Sequence, residues 1–172
     1  PFLVIATQNP IEFHGTYPLP EAQLDRFLMQ INLGYPAPEY EISMLHAQAQ
    51  SHPVDALTPV ITQTDIVAMQ FKVRSVTVSD PVSRYIVNIV NATRGDARLK
   101  VGVSPRGSLM LFRAAQASAF CAGRNYVLPD DVQRLAVPVL AHRIVLTSKA
   151  KYGGNGKVEV IADVINAVKV PT

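Results

Sequence analysis

The 172-residue sequence has one cysteine, no tryptophan and only 17% charged side chains. It also has no apolar stretch near the length of about twenty residues that crosses a bilayer. A single cysteine, Cys121, excludes an intramolecular disulfide framework, and it sets the expectation of a reducing, cytoplasmic setting. Set among Ala119, Phe120 and Ala122, it is expected to be a small buried apolar residue. The N-terminus lacks the basic-then-apolar plan of a signal peptide. Pro1 stands where an initiator Met would, directly before an apolar run, so a longer parent is expected. No GxxxxGK[ST] phosphate loop occurs: the one Gly-Lys pair, Gly156-Lys157, is followed by Val158 and has no glycine at the first position. Nor does an apolar strand end in Asp-Glu, because Asp163 precedes Val164 within a segment of helical period.

What is present is 48% hydrophobic, enough for one domain with a core, or one domain and a piece of another. The net charge is +3, from cations scattered along the chain and not gathered into a stripe, which gives little ground for a nucleic-acid surface.

Phe2 to Ala6 (FLVIA) has the continuous apolar pattern of a strand covered on both faces, ending in Thr7, Gln8, Asn9 and Pro10. After a Gly- and Pro-rich stretch, Glu21 to Arg26 reads as a helical turn and Phe27 to Leu33 as a second strand. Tyr35-Pro36-Ala37-Pro38 breaks the pattern, and the period then becomes helical. Helices are predicted over 39–49 and 64–73. Another follows Ser79-Asp80-Pro81, with Val82, Tyr85, Ile86, Ile89, Val90 and Thr93 on one face and Gly95 at its end. The next runs from Ser104-Pro105 to Gly123 with Leu109, Phe112, Ala115 and Ala119 on one face. A further helix starts at Pro129-Asp130-Asp131, where Pro138 should kink or divide it, and the last uses Ile161, Val164, Ile165 and Val168. Two strands cannot cover a parallel sheet, so the first 36 residues read as the edge of another domain.

Three residues invite chemistry. Ser104-Pro105 is an expected helix start, but Arg106 in that first turn opposes the helix dipole unless an anion sits in front of it. Spacing alone favours an exposed arginine in water or beside a carboxylate. Asn9, at the carboxyl end of a buried strand, could orient a water or phosphate oxygen, while Asn before Pro is also an ordinary turn start. Arg26 could offer a cation to a neighbouring subunit, or simply pair with Asp25 or Glu21 at the surface. His14, His46, His52 and His142 show no metal-ligand spacing and read as solvated, so no metal site is expected. Lys149, Lys151 and Lys157 read as a solvated loop or, alternatively, a client contact.

Together these segments carry more. Ala6-Thr7-Gln8-Asn9-Pro10, then Gly15-Thr16-Tyr17-Pro18-Leu19-Pro20-Glu21-Ala22-Gln23-Leu24-Asp25-Arg26-Phe27, closely resembles the stretch between the sensor 1 strand and the last core strand of MoxR-type AAA+ ATPases. Val103-Ser104-Pro105-Arg106-Gly107 is similar to that family's sensor 2 motif, and Gly123-Arg124 through Val127-Leu128-Pro129-Asp130-Asp131-Val132 to the lid segment after it. His142-Arg143 resembles a structural pair of the lid.

The resemblance implies a mainly α fold, a helical AAA+ lid bundle over 37–172 preceded by a two-strand remnant of an α/β ATPase core over 1–36. It implies that Asn9 is sensor 1, positioning the attacking water, that Arg26 is the arginine finger reaching an adjacent subunit's nucleotide, and that Arg106 is sensor 2, contacting phosphate from the lid. ATP and magnesium would belong to the longer parent, a ring, expected to be a hexamer, with chaperone-like or metalloenzyme-maturing activity and a von Willebrand factor A-domain partner; this stretch alone would be inactive and bind neither strongly. In the AAA+ order the first core strand lies between the two strands kept here. Residues 1–36 are therefore predicted to be rearranged, poorly ordered or paired with another copy. The competing readings are a stand-alone helical protein-binding module and, less favoured by the diffuse charge, a helical nucleic-acid binder.

Overall fold

The computed structural model describes residues 2–8, 19–49 and 52–171. A helical turn α1 (Glu21–Leu24) is followed by α2 (Pro38–Gln48), a 3-10 turn (Pro53–Ala56), α3 (Gln63–Arg74) and α4 (Asp80–Gly95). Strand β1 (Leu99–Val101) leads into α5 (Pro105–Cys121) and α6 (Pro129–Leu140). A 3-10 turn (Ala141–Arg143), β2 (Val145–Leu146), α7 (Ser148–Tyr152) and α8 (Lys157–Ala167) complete the chain. β1 and β2 form a short antiparallel pair.

Helix boundaries follow local chemistry. Proline occupies the first positions of α2, α4, α5 and α6, where its missing N–H costs nothing. At α3 a capping box closes the start: Asp65 N–H donates to Thr62 Oγ1 at 3.1 Å and Thr62 N–H to Asp65 Oδ2 at 2.9 Å. Just past the end of α5, Gly123, with φ of +73°, lets Arg124 N–H reach back to Ala119 O at 2.9 Å.

The core lies among α4, α5, α6 and α8. α4 buries Val82, Tyr85, Ile86, Ile89, Val90 and Thr93, the stripe that its period predicts. α8 contributes Val160, Ile161, Val164 and Ile165, and α6 contributes Val132, Ala136, Val139 and Leu140. Each large aliphatic side chain fully withdrawn from water stabilises the bundle by about 1.5–3 kcal/mol before entropy is charged. On α5 the buried residues are Gly107, Leu111, Ala114, Ala115, Gln116 and Ala119. Gln116 is satisfied there by donating to Val76 O at 2.8 Å.

Several expectations are corrected. The segments read as strands, 2–6 and 27–33, are not strands: no ladder forms there, and Phe2, Leu3 and Ile5 are 80% exposed or more. Their apolar pattern suits a sheet interior, and without flanking strands the backbone has nothing to pair with. No described residue before Val76 is buried. Leu109 faces outward and Phe112 is half-buried. Cys121 is exposed, since it sits two residues beyond buried Ala119 and so about 200° around the helix. Pro138 does not divide α6, which continues to Leu140. The Pro138 carbonyl, near the helix end where carbonyls go unpaired, instead accepts the Gln30 N–H at 2.8 Å.

Candidate functional site

Arg106 is the second residue of α5 and Arg26 lies two residues beyond α1, and both are exposed. They share one open concavity of about 790 Å³, lined by Arg26, Pro105, Arg106, Leu109 and Met110. The outward Leu109 contributes apolar surface to this concavity. Among the described residues no carboxylate comes within ion-pair distance of either guanidinium. Two like charges at one depression repel, and an anion between them reverses the sign. A guanidinium fork suits the tetrahedral oxygens of phosphate, and the N-terminus of α5 favours the same charge.

The reading in which Arg26 pairs with Asp25 is not what is found. The Asp25 carboxylate turns to Arg143, with Oδ1 3.2 Å from Nε. Ser104, expected to cap α5, makes no capping bond; its hydroxyl points to the same carboxylate, at 3.3 and 3.4 Å from the two oxygens. Asn9 and His14 lie outside the described residues.

Arg143 is the residue whose importance spacing understated. Its side chain is fully buried. Nη1 donates to Leu28 O at 3.3 Å and to Val139 O, and Nη2 donates to Asp25 O at 3.3 Å and to Phe27 O. Burial pulls its pKa below the ordinary arginine value, and the Asp25 carboxylate pulls it back. His142, expected to be solvated, is also buried; burial and then the Arg143 charge lower its pKa, and its Nε2 accepts from Arg143 Nη1 at 2.7 Å. A signal for this was present in the sequence: Val139-Leu140-Ala141-His142-Arg143-Ile144 sets a charge inside an apolar run, where it must find partners.

Of the other candidates, His46 and His52 are exposed, Lys149 and Lys151 are exposed, and Lys157 is half-buried. Asp163 lies on α8 and pairs with Arg98 at 2.6 Å.

Known proteins resemble the chain along its length. Residues 1–29 match the family model of the ATPase family associated with various cellular activities (AAA), and residues 91–164 match the AAA lid domain. The chain is 48% identical over 171 residues to the uncharacterized protein YeaC of Bacillus subtilis (strain 168), covering 99% of the chain and 53% of that relative. It is 39% identical over 180 residues to the chaperone MoxR1 of Mycobacterium tuberculosis, covering 99% of the chain and 47% of MoxR1. A solved structure of a candidate ATPase from Cytophaga hutchinsonii superimposes with a TM-score of 0.90 at 34% identity, over 100% of this chain and 55% of that one. The chain spans about half the length of the curated relatives it matches.

Proposed function

We infer, from a chain that belongs to the MoxR-type AAA ATPases and carries their C-terminal portion, that its job is to read the phosphates of a bound nucleotide and to assist their hydrolysis. The observation that carries this is the shared concavity: Arg26 and Arg106 line one depression with no carboxylate partner among the described residues. Residues 1–36 are the tail of the ATPase core and 37–172 the lid.

Phosphoryl transfer asks little covalent chemistry of a protein and depends on placing cations where charge spreads over the transferred group. Arg26 serves as the arginine finger and Arg106 as sensor 2, and since they line one concavity they meet the same triphosphate, that of an adjacent subunit. Asn9 serves as sensor 1. ATP is the substrate; the phosphate loop and the magnesium ligands belong to the half of the relatives that this chain does not span. A finger presented to another subunit makes hydrolysis depend on ring assembly, and the cycle drives chaperone-like remodelling, with a von Willebrand factor A-domain protein as a partner.

The test is steady-state ATP turnover by the full-length protein carrying Arg26→Ala or Arg106→Ala. Each is expected to lower kcat about 10²–10³-fold, the loss typical when one preorganised donor to a developing charge is removed. Undiminished turnover in both variants would overturn the reading.

A further inference from the structure

We propose that Arg143 is a positioning residue that sets the spacing between Arg26 and Arg106, an inference that rests on those two arginines sharing a triphosphate. One buried arginine side chain touches the segments that carry both, by its guanidinium on one side and its stem on the other. Toward Arg26, it donates to the carbonyls of Asp25, Phe27 and Leu28 and faces the Asp25 carboxylate at 3.2 Å, so it holds the chain on either side of residue 26. Toward Arg106, its stem packs on Gly107, where a Cβ would stand 3.2 Å from Arg143 Cδ. The Asp25 carboxylate closes the loop by receiving Ser104 Oγ from the residue before α5.

Little else fixes the Arg26 segment. Among the described residues, the remaining ties from residues 25–30 to the bundle are the Gln30 N–H on Pro138 O and the half-buried Met29. A buried charge is a poor device for stability alone, because a well-packed apolar side chain would avoid its desolvation. It does dictate register: a planar fork whose two Nη groups donate to carbonyls of residues 25, 27 and 28 accepts one backbone path. Two cations acting on one transition state need that fixity, since a misplacement of about 1 Å can cost about a hundredfold in rate.

The experiment measures kcat, KM for ATP and thermal stability of the full-length protein with Arg143→Lys, which keeps the charge and loses the fork, and with Asp25→Asn, which leaves Arg143 in place. Each is expected to lower kcat about 10- to 100-fold while KM shifts less than about threefold, because ground-state binding rests mainly on the phosphate loop. In an Arg26→Ala background the same substitutions are expected to lower kcat no further, whereas a general loss of structure would add its full effect. Wild-type kcat in folded Arg143→Lys and Asp25→Asn proteins, or an undiminished effect in the Arg26→Ala background, overturns the inference. Should Arg143→Lys fail to fold, Asp25→Asn decides by the same criteria. Full-rate turnover in Arg26→Ala itself would bring down the underlying reading first, and this inference with it; slow Arg26→Ala beside full-rate Arg143→Lys brings down this inference alone.

Discussion

Two buried charges do opposite work in this molecule. Asp131, at the start of α6, is held entirely within the helical bundle: Arg124 forks onto both oxygens at 2.8 Å, Ser118 Oγ donates at 2.9 Å and Leu128 N–H at 3.0 Å. Burial would raise its pKa, but those donors outweigh it and hold the carboxyl at about 2. Arg143 is as deeply buried, yet most of its partners are carbonyls of a segment that has no regular structure of its own. The first charge closes the turn between α5 and α6. The second joins a bare segment to a finished bundle. A charge satisfied inside one packed unit contributes to that unit's stability, whereas a charge satisfied across a seam contributes to where one piece sits relative to another.

The sharpest way to break the comparison is to remove each anion in turn. Asp131→Ala strands the Leu128 N–H and the Arg124 fork and is expected to cost about 3–5 kcal/mol in denaturant unfolding, the range for breaking a buried pair. Asp25→Asn should cost far less, since that carboxylate is 27% exposed and water replaces part of what is lost. Equal losses would erase the distinction between turn and seam.

Acid should separate the two next. The Asp131 pKa is depressed in the folded state, so its contribution is complete above the unfolded carboxylate value and is lost as pH falls through about 4 toward about 2. The loss is about 2 kcal/mol, and an Asp131→Asn protein should not show it. The seam should respond earlier. His142 also has a lowered folded pKa, through burial and the adjacent Arg143 guanidinium, with Asp25 the opposing charge. Its contribution is therefore present above the ordinary histidine value of about 6.5 and fades as pH drops below it. Amide exchange of residues 25–30 should accelerate in that window while α5 and α6 stay protected. Simultaneous loosening at both places would contradict the separation.

This contrast also marks what the sequence made legible. The helices of the bundle were readable because amphipathic period and acidic first turns point the same way in α4, α6 and α8, with an N-terminal proline added in α4 and α6. The resemblance to the MoxR-type family was carried by short motifs, and the matching family models and relatives support the family itself. The seam was not readable, because the partners of Arg143 are backbone carbonyls about 115 residues away, and backbone carbonyls leave no trace in residue type. The strand pattern of 2–6 and 27–33 misled for a related reason: period reports what a segment is built to pack against, not whether that neighbour is present. Leu109 was placed in the core by period together with Ala115 and Ala119; those two are buried, but at the start of α5 the buried positions are Gly107 and Leu111.

The smallest expected effect tests the seam from its other side. Read as an N-cap, Ser104 should lose about 0.5–2 kcal/mol on substitution by alanine, as capping serines do when an unpaired helix N–H loses its acceptor. In the structure the hydroxyl accepts nothing from the first turn of α5 and instead makes long contacts to a partly exposed carboxylate. Contacts of that length and exposure contribute little, so Ser104→Ala should change unfolding stability by no more than about 0.5 kcal/mol. The substitution should nevertheless speed amide exchange at residues 25–28, because it removes one of the two groups that hold the Asp25 carboxylate. A loss above 1 kcal/mol with unchanged exchange at 25–28 would restore Ser104 to the helix cap and leave Arg143 as the sole tie between the two arginines.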